Sequence, residues 1–356
     1  MLGSTITAPE SHLFAMTDSH DIDWNNLGFS YQQTRSHIRY TYRDGAWDAG
    51  ELCSDPYLNI HIGATALHYG QAAFEGLKAF TCADGEIRIF RPDENAKRLQ
   101  RTAERVLMAD VPEDLFLDAV HRVVRDNADY VPPYGTGGSL YIRPLLFGSG
   151  PRIGIQPADE YVFLVLVMPV GDYYKGGLTP VSAVVLDGFD RAAPQGVGHA
   201  KVAGNYAASL VPSKIAKEMG YSINLYLDSR ENRYVDEFGT SNFVGITHDG
   251  AYVTPESPSI LPSITNMSLM TLAKDMGLRI ERRAVDFAEL AEFAEIGACG
   301  TAVVVTPINR IVRNDEEITV GPADSCGPTL QKLYSQVRGI QLGELPDPYN
   351  WNQALR

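Results

Sequence analysis

The sequence predicts an α/β protein, α+β in the arrangement of its elements, built as two domains. Three observations carry this. The chain has 356 residues, a little more than twice the roughly 150 of an ordinary domain. Runs of alternating apolar residues closed by turn dipeptides are interleaved with runs of helical period. Both patterns stop at 171–180, where Tyr173, Tyr174, Gly176, Gly177 and Pro180 give the composition of a connection. The expected division is a loosely ordered lead-in at 1–30, a small first domain at 31–170, an interdomain loop at 171–180 and a larger second domain at 181–356.

The lead-in shows no sustained period, and folding is expected to begin near Gln33. Asp44-Gly45 and Asp84-Gly85 are hairpin turns, the second between strands at 77–80 and 87–90. Pro92 and Asp93 open a helix with Ala96, Leu99, Ala103, Val106 and Leu107 on one face, ending before Pro112. Arg98 lies about a quarter turn off that stripe. A second helix is expected at 115–128, then strands at 139–146 and 161–168. The latter is apolar enough to be buried on both faces and is stopped by Pro169.

The second half resumes with a strand at 181–186 and a helix at 206–220. Two hairpins follow: 225–227 with 234–237, and 243–246 with 252–254 around Asp249-Gly250. A helix runs from Pro262 to Gly277. Strands near 279–283 and 303–306 and a helix at 328–340 complete the prediction.

Composition narrows the function. With 30 basic and 44 acidic residues the net charge is −14, so no long-range field draws the chain to nucleic acid or to an anionic membrane. The longest nearly pure apolar run, 161–170, is half the roughly 20 residues of a spanning helix, and no signal-peptide pattern opens the chain. Cys53, Cys82, Cys299 and Cys326 are far apart, which suits a reducing cytoplasm. The eight histidines show no ligand spacing, so no metal is expected. A phosphate loop, a zinc helix and a nucleophile elbow are all missing from the sequence. A small-molecule substrate fits best.

Four segments could carry chemistry. Lys201 lies in Gly196-Val-Gly-His-Ala-Lys-Val-Ala-Gly-Asn-Tyr206, a small-residue stretch between a strand and a helix where backbone can approach a ligand. Glu237 ends a strand in Tyr234-Val-Asp-Glu-Phe-Gly-Thr240-Ser-Asn-Phe243. Leu261-Pro-Ser-Ile-Thr265 opens a helix whose free N–H groups attract anions, and Gly300-Thr301-Ala302 is a second candidate anion turn. Alone, each has a plain alternative: a surface lysine, an exposed edge acid, an ordinary helix start or turn. Together they suit pyridoxal phosphate, which needs a lysine for its aldehyde, an acid for its ring nitrogen and donors for its phosphate.

With Tyr69-Gly-Gln-Ala-Ala-Phe74-Glu-Gly76, Phe90-Arg-Pro to Arg98-Leu99 and Ser139-Leu-Tyr141-Ile-Arg143-Pro, these segments resemble the fold-type IV pyridoxal-phosphate enzymes. Within that family the chain is similar to the branched-chain amino acid aminotransferases of the longer, eukaryote-like subgroup, from about residue 28 to the end. The resemblance implies two α/β domains with mixed and antiparallel sheets, most of the cofactor site being in the second. It makes Lys201 the Schiff-base lysine and proton shuttle, Glu237 the partner of the pyridine nitrogen, and Tyr206 a donor to the phenolic oxygen. Arg98, Ile264, Thr265 and Thr301 would hold the phosphate, with Leu261 on the ring face. Tyr69, Phe74, Tyr141, Tyr173, Tyr206, Thr240, Thr301 and Ala302 would line the substrate pocket, Tyr69 coming from the neighbouring subunit, and Arg143 with Tyr141 would meet the γ-carboxylate of glutamate.

Departures are specific. Mammalian relatives carry a redox C-x-x-C after the Gly-Thr-Ala turn, where this chain has Val303 and Thr306, so thiol regulation of that kind is not expected. Ser263 stands where glycine is usual and Asn266 where arginine is usual. Arg35-Ser36-His37 matches the carboxylate trap of D-amino acid aminotransferases but lies far upstream of the corresponding strand, and is treated as coincidence. The expectation is a cytoplasmic homodimer, with neither nucleic acid nor membrane as partner, that transfers the amino group of leucine, isoleucine or valine to 2-oxoglutarate. The competing readings are a D-amino acid aminotransferase, a lyase such as aminodeoxychorismate lyase, and a non-catalytic dimeric binding protein of the same fold.

Overall fold

The computed structural model describes residues 18–171 and 178–356. Its strands form two sheets. The first is antiparallel and runs, edge to edge, through Asn352–Ala354, Ile87–Phe90, Leu77–Thr81, Ser139–Gly148, Tyr161–Val170, His37–Arg43 and Ala46–Trp47, with Glu51–Cys53 and Ala72–Phe74 paired alongside. The helices Pro92–Arg105 and Glu113–Asp126 cover one face, where Leu99, Phe116, Val120 and Val124 meet Ile38, Ile142 and Phe163 in a continuous core. The other face carries Tyr141 and Arg143, because successive strand residues point to opposite sides.

The second sheet is mixed. Val181–Val185 runs parallel to both Ile223–Leu227 and Val304–Arg313, while most other neighbours are antiparallel. The strands Val235–Phe238, Ile223–Leu227, Val181–Val185, Val304–Arg313, Phe293–Gly300 and Ser241–Thr247 follow in that order, and the last pairs back onto the first, closing a ring. Phe238, Phe243, Ile296 and Ile308 belong to the core of this sheet. Ring closure sets Glu237 opposite Asn242.

Several elements differ from the sequence expectation. The first helix ends at Arg105, and Leu107, expected on its buried face, takes a left-handed φ of 52° and is 68% exposed. Pro169 does not stop its strand, which runs to Val170 with Pro169 opposite Leu140. The neighbouring strand pairs only as far as Val165, so Pro169 adjoins an open strand edge, where a missing N–H leaves no ladder bond unmade. The helix expected at 206–220 is two, Ala203–Ala208 and Leu210–Glu218, because Pro212 cannot donate to the preceding turn. Elements that were not anticipated include the helix Thr65–Tyr69, the strand Phe293–Gly300 and the C-terminal strand Asn352–Ala354. This last strand lies in the first sheet, although its residues follow the second. Among the described residues no helix is long and apolar enough to cross a membrane.

Candidate active site

The two sheets meet at Lys201. Its backbone is held from the first sheet and the helix packed on it: Phe74 N–H donates to Lys201 O at 3.1 Å, Ala73 bridges Val202, and Lys201 N–H donates to Thr102 Oγ1 of the helix Pro92–Arg105 at 3.1 Å. Its ammonium donates to Tyr206 Oη at 2.8 Å. The same Nζ stands 4.8 Å from the Phe74 ring centre and 5.0 Å from that of Tyr206, the two rings meeting edge on. Aromatic faces stabilise a cation held this close, so the amine is aimed rather than free. Asn205 Nδ2, donating to Val197 O and Ala200 O, fixes the lysine loop to the helix that carries Tyr206.

Glu237 is buried at the ring closure. One oxygen pairs with Arg191 Nε at 2.8 Å and accepts Leu261 N–H at 3.0 Å, and the other accepts Asn242 Nδ2 at 3.3 Å. Burial pushes its carboxyl up to about 7, against the pull of Arg191 and the Leu261 N–H. Asn242 Nδ2 also donates to Leu261 O, so the strand pair fixes both the acid and the segment before the next helix.

That helix, Ile264–Asp275, begins with Ser263 as its cap, the side chain accepting Asn266 N–H at 3.2 Å. The serine at a position usually held by glycine therefore settles the helix start. Asn266 is fixed from below: Tyr252 Oη donates to its Oδ1 at 2.7 Å and its Nδ2 donates to Thr254 Oγ1 at 2.9 Å. Ile264 and Thr265 line a small cavity with Lys78, Asn95, Gly300 and Thr301. The first turn of a helix lacks intrahelical acceptors for its N–H groups, which favours an anion there.

Arg98 lies behind this end. Its Nε and Nη2 form a two-pronged pair with Glu75 at 2.8 and 2.7 Å, and Nη1 donates to Pro262 O at 2.9 Å. Three of the five guanidinium donors are used. Lys78, which the sequence did not single out, is 7% exposed and donates to Ala302 O at 2.6 Å, bracing the 300–302 turn.

A cavity of about 520 Å3 opens on the other side of the turn. Phe74, Tyr141, Arg143, Lys201, Tyr206, Thr240, Thr301 and Ala302 all line it, so the structure brings these sequence-predicted residues together. Gly76 admits the Tyr141 hydroxyl, since a Cβ there would stand 2.4 Å from it. Arg143 Nη2 donates to Tyr141 Oη at 2.9 Å, and the guanidinium lies 4.7 Å from the Phe74 ring centre. Its Nε is buried without a partner among the described residues. Phe29 adds an aromatic edge against Tyr141 that the sequence did not suggest.

Tyr69 is not in the cavity of its own chain; it is 45% exposed, its hydroxyl bonded to Ile153 O. Tyr173 lies outside the described residues. Arg35 pairs with Asp129, away from the cavity. The sequence missed Glu75, although it lies inside a quoted segment, and Arg191, for which no local pattern gave a signal.

The amino-transferase class IV family model matches residues 72–311. The branched-chain-amino-acid aminotransferase of Haemophilus influenzae is 47% identical over 337 residues, covering 93% of this chain and 98% of that protein. In structure the chain is similar to the branched-chain amino acid aminotransferase of Escherichia coli, with a TM-score of 0.73, 27% identity, and 89% and 99% of the two chains covered. It is also similar to the T.th. branched-chain amino acid aminotransferase solved with pyridoxamine 5′-phosphate, at a TM-score of 0.74, 25% identity, and 89% and 98% coverage.

Proposed function

The chain belongs to the class IV aminotransferases and is a branched-chain amino acid aminotransferase, and we propose that it works through Lys201 and pyridoxal phosphate on leucine, isoleucine or valine with 2-oxoglutarate. The observation that carries this is the lysine amine held between Phe74 and Tyr206 at the large cavity, close enough to the buried Glu237 carboxylate to act on its charge, with the Ile264–Thr265 helix start on the other side of the 300–302 turn. The donor set fits the cofactor: an amine for its aldehyde, an acid with acceptor capacity left on Glu237 Oε2, and the Ile264–Thr265 turn with Thr301 for its phosphate. Leu261 is positioned for the ring face by its bonds to Glu237 and Asn242. When bound, the cofactor supplies an aldehyde that takes up the amino group and a ring that accepts electrons from the α-carbon.

The chain's own residues do the rest. Lys201 anchors the cofactor and, when released, moves a proton between the α-carbon and the acceptor carbon. Tyr206 Oη, already bonded to the amine, holds the phenolic side. Glu237 keeps a positive charge on the ring nitrogen by a charge-assisted hydrogen bond. Arg98, with two donors left, supports the phosphate end both directly and by fixing Pro262. Phe74 and Tyr141 accept an aliphatic chain, and Arg143 offers its unpartnered donor to the second carboxylate of glutamate.

The proposal extends to a cytoplasmic homodimer of two domains divided near 171–180. Tyr57, Leu58, Ile62, Leu67, Tyr69 and Ile153, all from the first half of the chain, are exposed, and the Tyr69 hydroxyl reaches Ile153 O; exposed apolar side chains of this kind suit a partner-facing surface. Tyr69 would enter the partner's pocket, and the four free cysteines suit a reducing compartment.

The purified protein should be yellow and form glutamate from leucine and 2-oxoglutarate. Lys201→Ala should lose the visible band and lower turnover by about 10²–10⁴-fold, the range for removing a positioned proton-transfer group. An unchanged band and rate in that variant would remove Lys201 from the mechanism.

A further inference from the structure

Arg191 joins three parts of the site. It is 7% exposed. Its Nε meets Glu237 Oε1 at 2.8 Å, and Nη1 donates to Gly198 O at 3.1 Å and to Ser259 O at 2.9 Å. Gly198 lies three residues before Lys201 and Ser259 two before Leu261. Each bond therefore ends on a different part of the proposed cofactor machinery. The two loops touch backbone to backbone: a Cβ on Gly198 would stand 2.1 Å from the Ser259 carbonyl oxygen, so only glycine allows the approach.

The charges around Glu237 make the contact consequential. The titratable and charged groups that act on it are Arg191, Asp236, Lys201 and the Cys299 thiol. Burial and Asp236 oppose ionisation of Glu237, while Arg191 and Lys201 favour it. Lys201 is the group committed to the cofactor. Arg191 is the cation in direct contact, and an acid that is to hold a ring cation must be ionised.

We propose that Arg191 is the positioning residue of the cofactor site, holding Glu237 as a carboxylate and tying the Lys201 loop to the Leu261 segment. This rests on the roles proposed above for Lys201 and Glu237. Its planar fork serves the carboxylate and the two carbonyls at once, which a lysine cannot do.

The test uses Arg191→Met and Arg191→Lys, with Arg191→Met also combined with Glu237→Gln. One readout is the affinity of the apoprotein for pyridoxal phosphate. The other is the titration of the Glu237 carboxyl carbon by NMR in the apoprotein, its signal assigned by its loss in Glu237→Gln. Arg191→Met should move that titration to higher pH by about one to three pH units, the effect of removing an adjacent opposite charge. It should weaken cofactor binding about tenfold or more in the wild-type background and several-fold less in Glu237→Gln, where an amide has no charge to hold and only the tie between the two loops is lost. Arg191→Lys should keep the Glu237 titration near its wild-type position. Equal losses of affinity in both backgrounds, or an unmoved titration in Arg191→Met, would overturn the proposal. Should Arg191→Met fail to fold, Arg191→Lys decides: a wild-type titration supports the role, and a shifted one defeats it. If the proposed function itself were wrong, wild-type protein would show no visible band with pyridoxal phosphate, before any variant is compared.

Discussion

Glu75 with Arg98 beside the first sheet, and Glu237 with Arg191 in the second, are both buried carboxylate–guanidinium pairs, yet they are built differently. Glu75 receives two guanidinium N–H groups and Asn95 Nδ2, all at 2.7–2.8 Å. Glu237 receives one guanidinium N–H and one backbone N–H on the same oxygen, and the other oxygen has only the 3.3 Å bond from Asn242. At the carboxylate the first pair is closed, the capacity of Glu75 being met within the protein, while Arg98 keeps two donors. The second is open, with room for one more donor, and its carboxyl is pushed up to about 7. A third guanidinium, Arg143, has no carboxylate partner among the described residues and keeps a buried unpartnered Nε. Completeness of pairing at the carboxylate thus separates an acid that holds the fold, Glu75, from one with capacity for a ligand, Glu237.

The closed pair should show the largest effect on stability. Glu75→Gln leaves Arg98 buried with no counter-charge and should destabilise the protein by about 3–5 kcal/mol, read as a lower urea midpoint. Because Arg98 also holds Pro262 O, cofactor affinity should fall with it. A midpoint within error of wild type would mean that the pair is not closed in solution.

The lone guanidinium should act on function instead. Arg143→Ala should weaken the glutamate half-reaction by about 2–5 kcal/mol, roughly thirty-fold to a few thousand-fold in kcat/KM, and change the leucine half-reaction much less. Single-turnover rates for each amino acid measure this. Equal losses for both would assign Arg143 to the shared α-carboxylate or to the structure.

The open pair should show itself in pH dependence. The Glu237 carboxyl titrates higher in the folded chain than its ordinary 4.5, so the native state holds that proton more tightly than the unfolded state does. Stability from this group is therefore full below about pH 4.5 and is lost as pH rises to about 7. Urea midpoints of the apoprotein should decline across that window, and Glu237→Gln should flatten the decline. A variant with the same slope as wild type would place the titration on another acid, such as Asp236, whose carboxyl burial raises to about 6.

Much of this was legible in the sequence, for reasons that differ by residue. Helices opened by Pro92 and Pro328 and hairpins at Asp44-Gly45 and Asp249-Gly250 announce themselves locally, since a proline or a turn dipeptide fixes backbone within a few residues. Lys201, Tyr206, Glu237 and the Ile264 turn could be named because they sit in strings similar to a known family. Arg191 could not, because two of its three partners are 46 residues away at Glu237 and 68 at Ser259, beyond the reach of any local pattern. Lys78 was passed over for a related reason: the Ala302 carbonyl that holds it belongs to the other sheet's turn, 224 residues away. The C-terminal strand was illegible too, since three residues of Asn352–Ala354 have too little pattern to declare an edge partner.

The smallest expected effect tests the surroundings of the open pair. Cys299 is fully buried, and burial together with the negative charge of Glu237 pushes its thiol up to about 12. Burial likewise raises Cys326 to about 12, and Cys53 and Cys82 above their ordinary value. The thiolate is the form that oxidants attack. At pH 7 a thiol near 12 is ionised in only about one molecule in 10⁵. The carboxylate that leaves capacity for a ring cation thereby also protects the neighbouring sulfur. Mild peroxide followed by assay should leave turnover unchanged in the wild type. Glu237→Gln removes the charge but not the burial, so Cys299 should stay unreactive there as well, with at most a slight rise in labelling by a thiol reagent. A loss of activity that a thiol reductant restores would show that Cys299 is reached and ionised, and the picture of a sealed, negatively biased pocket behind Glu237 would fail.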